Sequence, residues 1–190
     1  MSSGKEPKPA LSEAFDRAVD ALTQVGASYA LIGGFAVAHH GLPRPTQVID
    51  FLVSIPRIEL PALLEDFEKR GFTFDAQRVL SELGKDHLST VCYGGVRVDL
   101  LDAVLPLFRQ AIHGAIEATI RGRRVRIACP EDLISLKMIA CRDDDLRDVR
   151  GILATQGSQL DFERIRRSLV ECCGKEQVDA FERLVSEAGF

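Results

Sequence analysis

The chain has 190 residues, of which 46% are apolar and 27% charged, enough apolar material for a core and too much for a disordered segment. A formal net charge of −4 excludes a global basic field that would gather nucleic acid, so any polyanion site must be local. No apolar run approaches the ~20 residues that a membrane span needs. The five cysteines are Cys92, Cys129, Cys141, Cys172 and Cys173. They show no C-x-x-C spacing and no nearby histidine, so the expectation is small core thiols in a reduced cytoplasm, not a disulfide framework or a zinc site.

In chain order, MSSGKEPKPA lacks an apolar stretch and reads as a frayed tail, not a signal peptide. Leu11, Phe15, Val19 and Leu22 recur at helical spacing and Gly26 ends the run. SYALIG is a short buried strand, and GFAVAHHG gives about two helical turns between glycines. TQVIDFLVSI reads as a strand stopped by Pro56, and RIELPALLEDFEKR as a helix stopped by Gly71. HLSTVCYG and VRVDLLDAV flank Gly94-Gly95, which predicts a hairpin; a second hairpin turns near Gly122. From Pro130 onward only helices are expected: PEDLISLKMIACRDDDLRDVRGIL as one helix or a bent pair, then DFERIRRSLVECC and KEQVDAFERLVSEAG. The fold class is therefore α/β (α+β), a mixed twisted sheet of about five strands with flanking helices. An α/β part over residues 1–129 would be followed by a C-terminal helical bundle over 130–190.

Alternation along TQVIDFLVSI puts Ile49, Phe51 and Val53 on one face and Thr46, Val48, Asp50 and Leu52 on the other. Asp50 is then an ionisable group among apolar neighbours, which costs several kcal/mol unless a cation, a basic side chain or a strand end relieves it. Asp99 shares a face with Arg97 and Leu101, while Asp102 points away. Carboxylates from two neighbouring strands can hold a hard divalent cation such as Mg²⁺. Gly33-Gly34 at a strand-to-helix junction lets phosphate oxygens approach backbone N–H groups at a helix N-terminus. The opposing readings are plain ones: an ordinary tight turn for Gly33-Gly34, pairing with Arg44 or another arginine for Asp50, and an Arg97 pair for Asp99. His39 and His40 read as capping groups at a helix end, and His87 as a strand residue near Asp86. RGRRVR is a local basic hairpin with Arg124 and Arg126 on one face and Arg121 and Arg123 on the other; no aromatics interleave to stack bases, so no sequence-specific DNA binding is expected.

IGGFAVAHHGLPRPTQVID followed by VRVDLLD resembles the nucleotidyltransferase superfamily of DNA polymerase β-type and antibiotic-modifying enzymes. The likeness is strongest to small bacterial nucleotidyltransferase-like proteins, some of them parts of abortive-infection toxin–antitoxin systems. Their pattern is Gly-Gly, a short helix, Arg-x-Thr-x-Asp-x-Asp on the second strand and a third acid on a later one. Gly33, Gly34, Arg44, Thr46, Asp50 and Asp99 fall on those positions, and Val48 replaces the first acid. A later lysine and Arg-x-x-Asp-x-x-Asp place Lys137, Arg142, Asp145 and Asp148.

The resemblance implies that Asp50 and Asp99 are catalytic and hold Mg²⁺ or Mn²⁺. Gly33, Gly34, Arg44, Thr46, Lys137 and Arg142 would bind an NTP, and an NMP group would pass to an acceptor hydroxyl on a small molecule, a protein or an RNA end. In that family two metal ions do this work, one activating the attacking oxygen and one neutralising the leaving pyrophosphate, so loss of the ligand at Val48 should weaken activity. The alternative is an inactive scaffold that survives as a binding or regulatory protein with a protein partner. A carboxylate from elsewhere, Asp86 or Asp102, is the third way the missing ligand could be supplied. Lys137 and Arg142 have their own plain reading, intrahelical pairing with Asp145 and its neighbours.

Overall fold

A computed structural model describes residues 9–190; the tail expected at the N-terminus lies, up to residue 8, outside the described residues. Helix α1 (Pro9–Gln24) leads into β1 (Ser28–Ile32), α2 (Gly33–His40) and β2 (Val48–Ser54). Then come α3 (Leu60–Lys69), α4 (Ala76–Lys85), β3 (Leu88–Tyr93), β4 (Val96–Asp102) and α5 (Pro106–His113). The hairpin β5 (Ile116–Ile120) and β6 (Arg123–Ile127) precedes α6 (Pro130–Ala140), α7 (Asp143–Gln156), α8 (Phe162–Cys172) and α9 (Lys175–Glu187).

The strands form one mixed sheet of six, in the order β3-β4-β2-β1-β6-β5, one more than the roughly five expected. β2 lies parallel to β4 and antiparallel to β1, which runs parallel to β6. Two helices escaped the sequence reading. α4 buries Val79 and Leu83, but Ala76, Val79, Leu80 and Leu83 stand at helical spacing and Asp75 caps it by accepting the Arg78 N–H at 2.9 Å, signals that the sequence reading passed over. α5 begins with Pro106 at its first turn, a start signal in its own right. The Pro130–Leu153 stretch is two helices: Cys141 takes φ +50° at the end of α6 and turns the chain back.

The Ile49–Phe51–Val53 face of β2 is fully buried, as alternation predicts, with Phe51 edge-on to Tyr29 at 5.6 Å. The opposite face carries Asp50 and Leu52 toward α5 and α6. Three expectations need correction. Thr46 precedes β2, where its hydroxyl donates to the Val48 carbonyl at 3.0 Å in a local turn. His87 is not in a strand; it takes φ +57° just before β3, with Nδ1 3.5 Å from Asp102. Arg44 pairs with Asp148, not with Asp50. Among the described residues no helix is long and apolar enough to cross a membrane.

His40, at the end of α2, is buried and bonds the Ala128 carbonyl through Nε2 at 2.8 Å, tying α2 to the end of β6. Burial pulls its pKa below the ordinary value, so the folded protein holds the ring neutral while the unfolded chain protonates it. Stability contributed by neutral His40 is thus full above about pH 6.5 and falls below it, by at most about 1.4 kcal/mol per pH unit. His40→Gln keeps an N–H donor without a titrating ring. Its Tm should fall less than that of the wild type between pH 7 and 5, as thermal melts across that range would show.

Candidate active site

The site is built where β1 ends and α2 begins. Gly33 takes φ +62°, a left-handed conformation that costs other residues ~1–2 kcal/mol, and a Cβ there would overlap the Asp50 carboxylate. A Cβ on Gly34 would sit 2.7 Å from the Thr46 side chain. Both glycines are therefore required by close approach, which brings the start of α2 onto β2. Ile32 supplies no side-chain cap to α2, and the Gly34 N–H favours the charged form of Asp50 beside it.

Asp50 lies opposite Ile32 on β1 and opposite Asp99 on β4, so the two carboxylates stand side by side on one face. Their surroundings differ. Asp99, only 13% exposed, accepts from Thr90 Oγ1 at 2.7 Å and from Arg97 Nη2 at 3.0 and 3.2 Å. Asp50 has no arginine partner and faces a cavity. Burial, then the Asp99 charge, pushes its pKa above the ordinary carboxylate value, while Lys137, the Gly34 N–H and Arg97 oppose the rise.

The cavity, about 420 Å³, opens between the sheet and α6. Gly33, Gly34, Arg44, Thr46, Lys137, Arg142 and Asp50 line it, so the sequence-selected residues converge there, apart from Asp99. Val48 lines it too, leaving an apolar wall where an acid was expected. Phe108, Leu133 and Leu136 add an apolar side that the sequence reading did not anticipate. Neither Asp86 nor Asp102 is in the lining, so neither supplies the missing carboxylate.

The cations of the far wall are held by α7. Lys137 Nζ lies 2.9 Å from both Asp145 and Asp148; Arg142 Nε is 2.7 Å from Asp145, and Arg44 Nε is 2.8 Å from Asp148. Asp145 and Asp148 are 3% and 4% exposed. Burial alone would raise the Asp145 pKa, but hydrogen bonds from Arg142 and Lys137 outweigh it and hold the carboxyl low. Three cations against Asp145 and Asp148 leave one positive charge, which Asp50 across the cavity balances when it is ionised.

Comparison with known proteins now bears on this geometry. The family described as "Nucleotidyl transferase of unknown function (DUF2204)" matches residues 13–186. The chain belongs to that family. No curated protein matches it in sequence. Solved structures share the nucleotidyltransferase fold at low identity. An antigenic nucleotidyltransferase-like protein from Paracoccidioides brasiliensis is 14% identical over 92% of each chain, with a TM-score of 0.50. The antibiotic-resistance factor ANT(2'')-Ia is 17% identical over 93% of this chain and 89% of its own, with a TM-score of 0.50. A putative nucleotidyltransferase from H. pylori is 19% identical over 95% and 81%, with a TM-score of 0.51.

Against the two-metal arrangement that the family resemblance implies, the donor set of this nucleotidyltransferase-fold chain does not fit. Position 48 is valine, and both Asp99 oxygens already accept from the Arg97 guanidinium. Among the described residues no three His, Cys, Asp or Glu side chains gather for a metal. Thr90, which the sequence reading passed over, was within reach of it: counting back from the Gly94-Gly95 turn pairs Thr90 with Asp99.

Two outcomes follow from this packing. Gly33→Ala combines a positive φ with overlap on Asp50, so a loss of at least ~2 kcal/mol is expected, seen as a lower urea midpoint. Ionised Asp50 costs stability above its raised folded pKa, and that cost vanishes below the ordinary carboxylate range, where both states are protonated. Asp50→Asn should therefore raise the Tm at pH 8 by roughly 2–4 °C, the scale of 1 kcal/mol in a chain this size, with the gain fading toward pH 4.

Proposed function

We propose that this cavity binds a nucleoside triphosphate and that any transfer of its NMP group to an acceptor hydroxyl is slow. The phosphates would lie on the backbone N–H groups at Gly33-Gly34 and face Arg44, Lys137 and Arg142, with Thr46 beside them. The base would lie against Phe108, Leu133 and Leu136. The observation that carries this reading is the convergence of those residues, drawn from both the 1–129 and 130–190 parts of the chain, on one cavity.

In transfer, the acceptor oxygen bonds to the α-phosphorus as the bond to pyrophosphate breaks, and the hydroxyl proton needs a base. Asp50, raised by burial and by Asp99, is the carboxylate placed to accept it. Asp99, which the resemblance makes catalytic and a metal holder, is committed to Thr90 and Arg97 and acts as a positioning residue through its charge on Asp50. An Mg²⁺ or Mn²⁺ ion entering with the nucleotide would meet one free carboxylate, Asp50. The five unpaired thiols favour a reducing cytoplasm as the setting.

A second reading has its own support. Val48 and the Arg97–Asp99 pair both suit a scaffold that binds nucleotide without turning it over, in a regulatory role such as one member of a toxin–antitoxin pair.

Thermal shifts with the four NTPs, each with and without Mg²⁺, test the binding. Ligand at ~100 times Kd should add about 2.7 kcal/mol, roughly 5–10 °C here. Val48→Asp should enlarge the metal-dependent part of the shift. Absence of a shift in both proteins would sink the nucleotide reading. If wild type binds, transfer of radiolabelled NMP separates slow enzyme from binding protein.

A further inference from the structure

A second cavity, about 470 Å³, lies at the other end of the same strands and shares no lining residue with the first. Ser28 and Ser54 face each other in the β1–β2 register four positions from the Ile32–Asp50 pair, about 13 Å along the strands. They lie on the same sheet face as Asp50. Helix α5 separates the two cavities: Phe108 faces the first, while Arg109 and His113 line the second.

The polar lining of this second cavity is Arg109, His113, Arg126, Ser28, Ser54 and Tyr29, with no carboxylate. Among the described residues, each guanidinium meets only carbonyl oxygens through a single nitrogen. Arg109 Nη1 donates to Ala103 at 3.3 Å and Val104 at 2.8 Å, and Arg126 Nη2 to Ile112 at 3.2 Å and Ala115 at 3.0 Å. Those bonds orient both planes and leave the other two nitrogens of each side chain to donate elsewhere. Glu117 stands opposite Arg126 across the β5–β6 ladder, yet forms no ion pair with it.

The contrast with the rest of RGRRVR is informative. Arg121 donates to Ser12 and Arg123 pairs with Asp20, both on α1. The arginines on that face find partners on α1; Arg126, on the other face, forms no ion pair among the described residues.

We infer that this cavity is a second anion site, built for a phosphate group. Two oriented guanidiniums, an imidazole and two serine hydroxyls offer more donors than a lone carboxylate accepts, and they suit the several oxygens of a phosphate monoester or diester. The volume falls within the range of small-molecule pockets, so the group arrives on a phosphorylated small molecule or on a nucleic-acid strand. The site does not depend on nucleotide binding in the first cavity.

The experiment is an amide NMR titration of the full chain, read at Ser28, Ser54 and His113, far from the Gly33-Gly34 turn. The probes are inorganic phosphate, a 5′-phosphorylated oligoribonucleotide and, at matched ionic strength, acetate. Saturable shifts with phosphate, about tenfold weaker or more in Arg109→Gln, are expected for a small phosphorylated ligand. The same loss seen only with the oligonucleotide supports the site and identifies a nucleic acid as the source. Arg126→Gln removes a bond to the end of α5 and is the second variant, for use where its amide spectrum retains native dispersion. Equal response to acetate, no saturation at these three amides with either phosphate probe, or shifts unchanged in Arg109→Gln would overturn the inference.

Discussion

The backbone at Gly33 and the carboxylate of Asp50 occupy adjoining space so tightly that no side chain fits between them. That contact sets the height of α2 above β2, and much else follows from it. Gly34 comes to rest against Thr46, which closes the loop carrying Arg44 into the cavity. His40, at the far end of the same helix, reaches the Ala128 carbonyl just before α6 begins. One close approach of backbone to side chain thus positions the Gly33-Gly34 turn, the loop and the entry to the helical part.

The electrostatics of the site divide two acids that the sheet makes neighbours. In an antiparallel or parallel ladder, residues opposite each other cannot avoid sharing a face, so Asp50 and Asp99 must interact. The protein relieves the repulsion unevenly. Arg97 and Thr90 satisfy Asp99, while burial and the Asp99 charge leave Asp50 with a raised pKa. A chain with a carboxylate at position 48 would gather three acids there and call for a metal ion; with valine, a guanidinium already balances one of the remaining two. On the far wall the arrangement is inverted. Buried Asp145 and Asp148 each meet two cations, and Lys137 is shared between them, so neutralising either carboxylate would leave it one carboxylate partner instead of two.

The strands were readable as short apolar runs bounded by turn residues, and period two then set Ile49, Phe51 and Val53 on the buried face and Asp50 on the other. The Gly94-Gly95 hairpin and the convergence of Gly33, Gly34, Arg44 and Lys137 were equally accessible, the first from turn chemistry and the second from the order of the motifs. Helices α4 and α5 carried signals that went unread, Ala76, Val79, Leu80 and Leu83 at helical spacing in the one and Pro106 at the start of the other; both are short and bury only a few side chains. The break between α6 and α7 rests on Cys141 in a left-handed conformation that no glycine announced.

Local pattern was sufficient for the class of fold, the face on which Asp50 lies and the Gly33-Gly34 turn, since each depends on near neighbours in the chain. It could not say which acid faces the cavity. That choice belongs to Thr90 across a hairpin and Arg97 along a strand, which compete for Asp99 in space and leave Asp50 free. Nor could it separate the arginines that fold the protein from those left to bind. Arg123 finds Asp20 on α1 103 positions away, whereas Arg126 meets only carbonyls. Charge balance is decided by distance between side chains, and only the packed chain sets those distances.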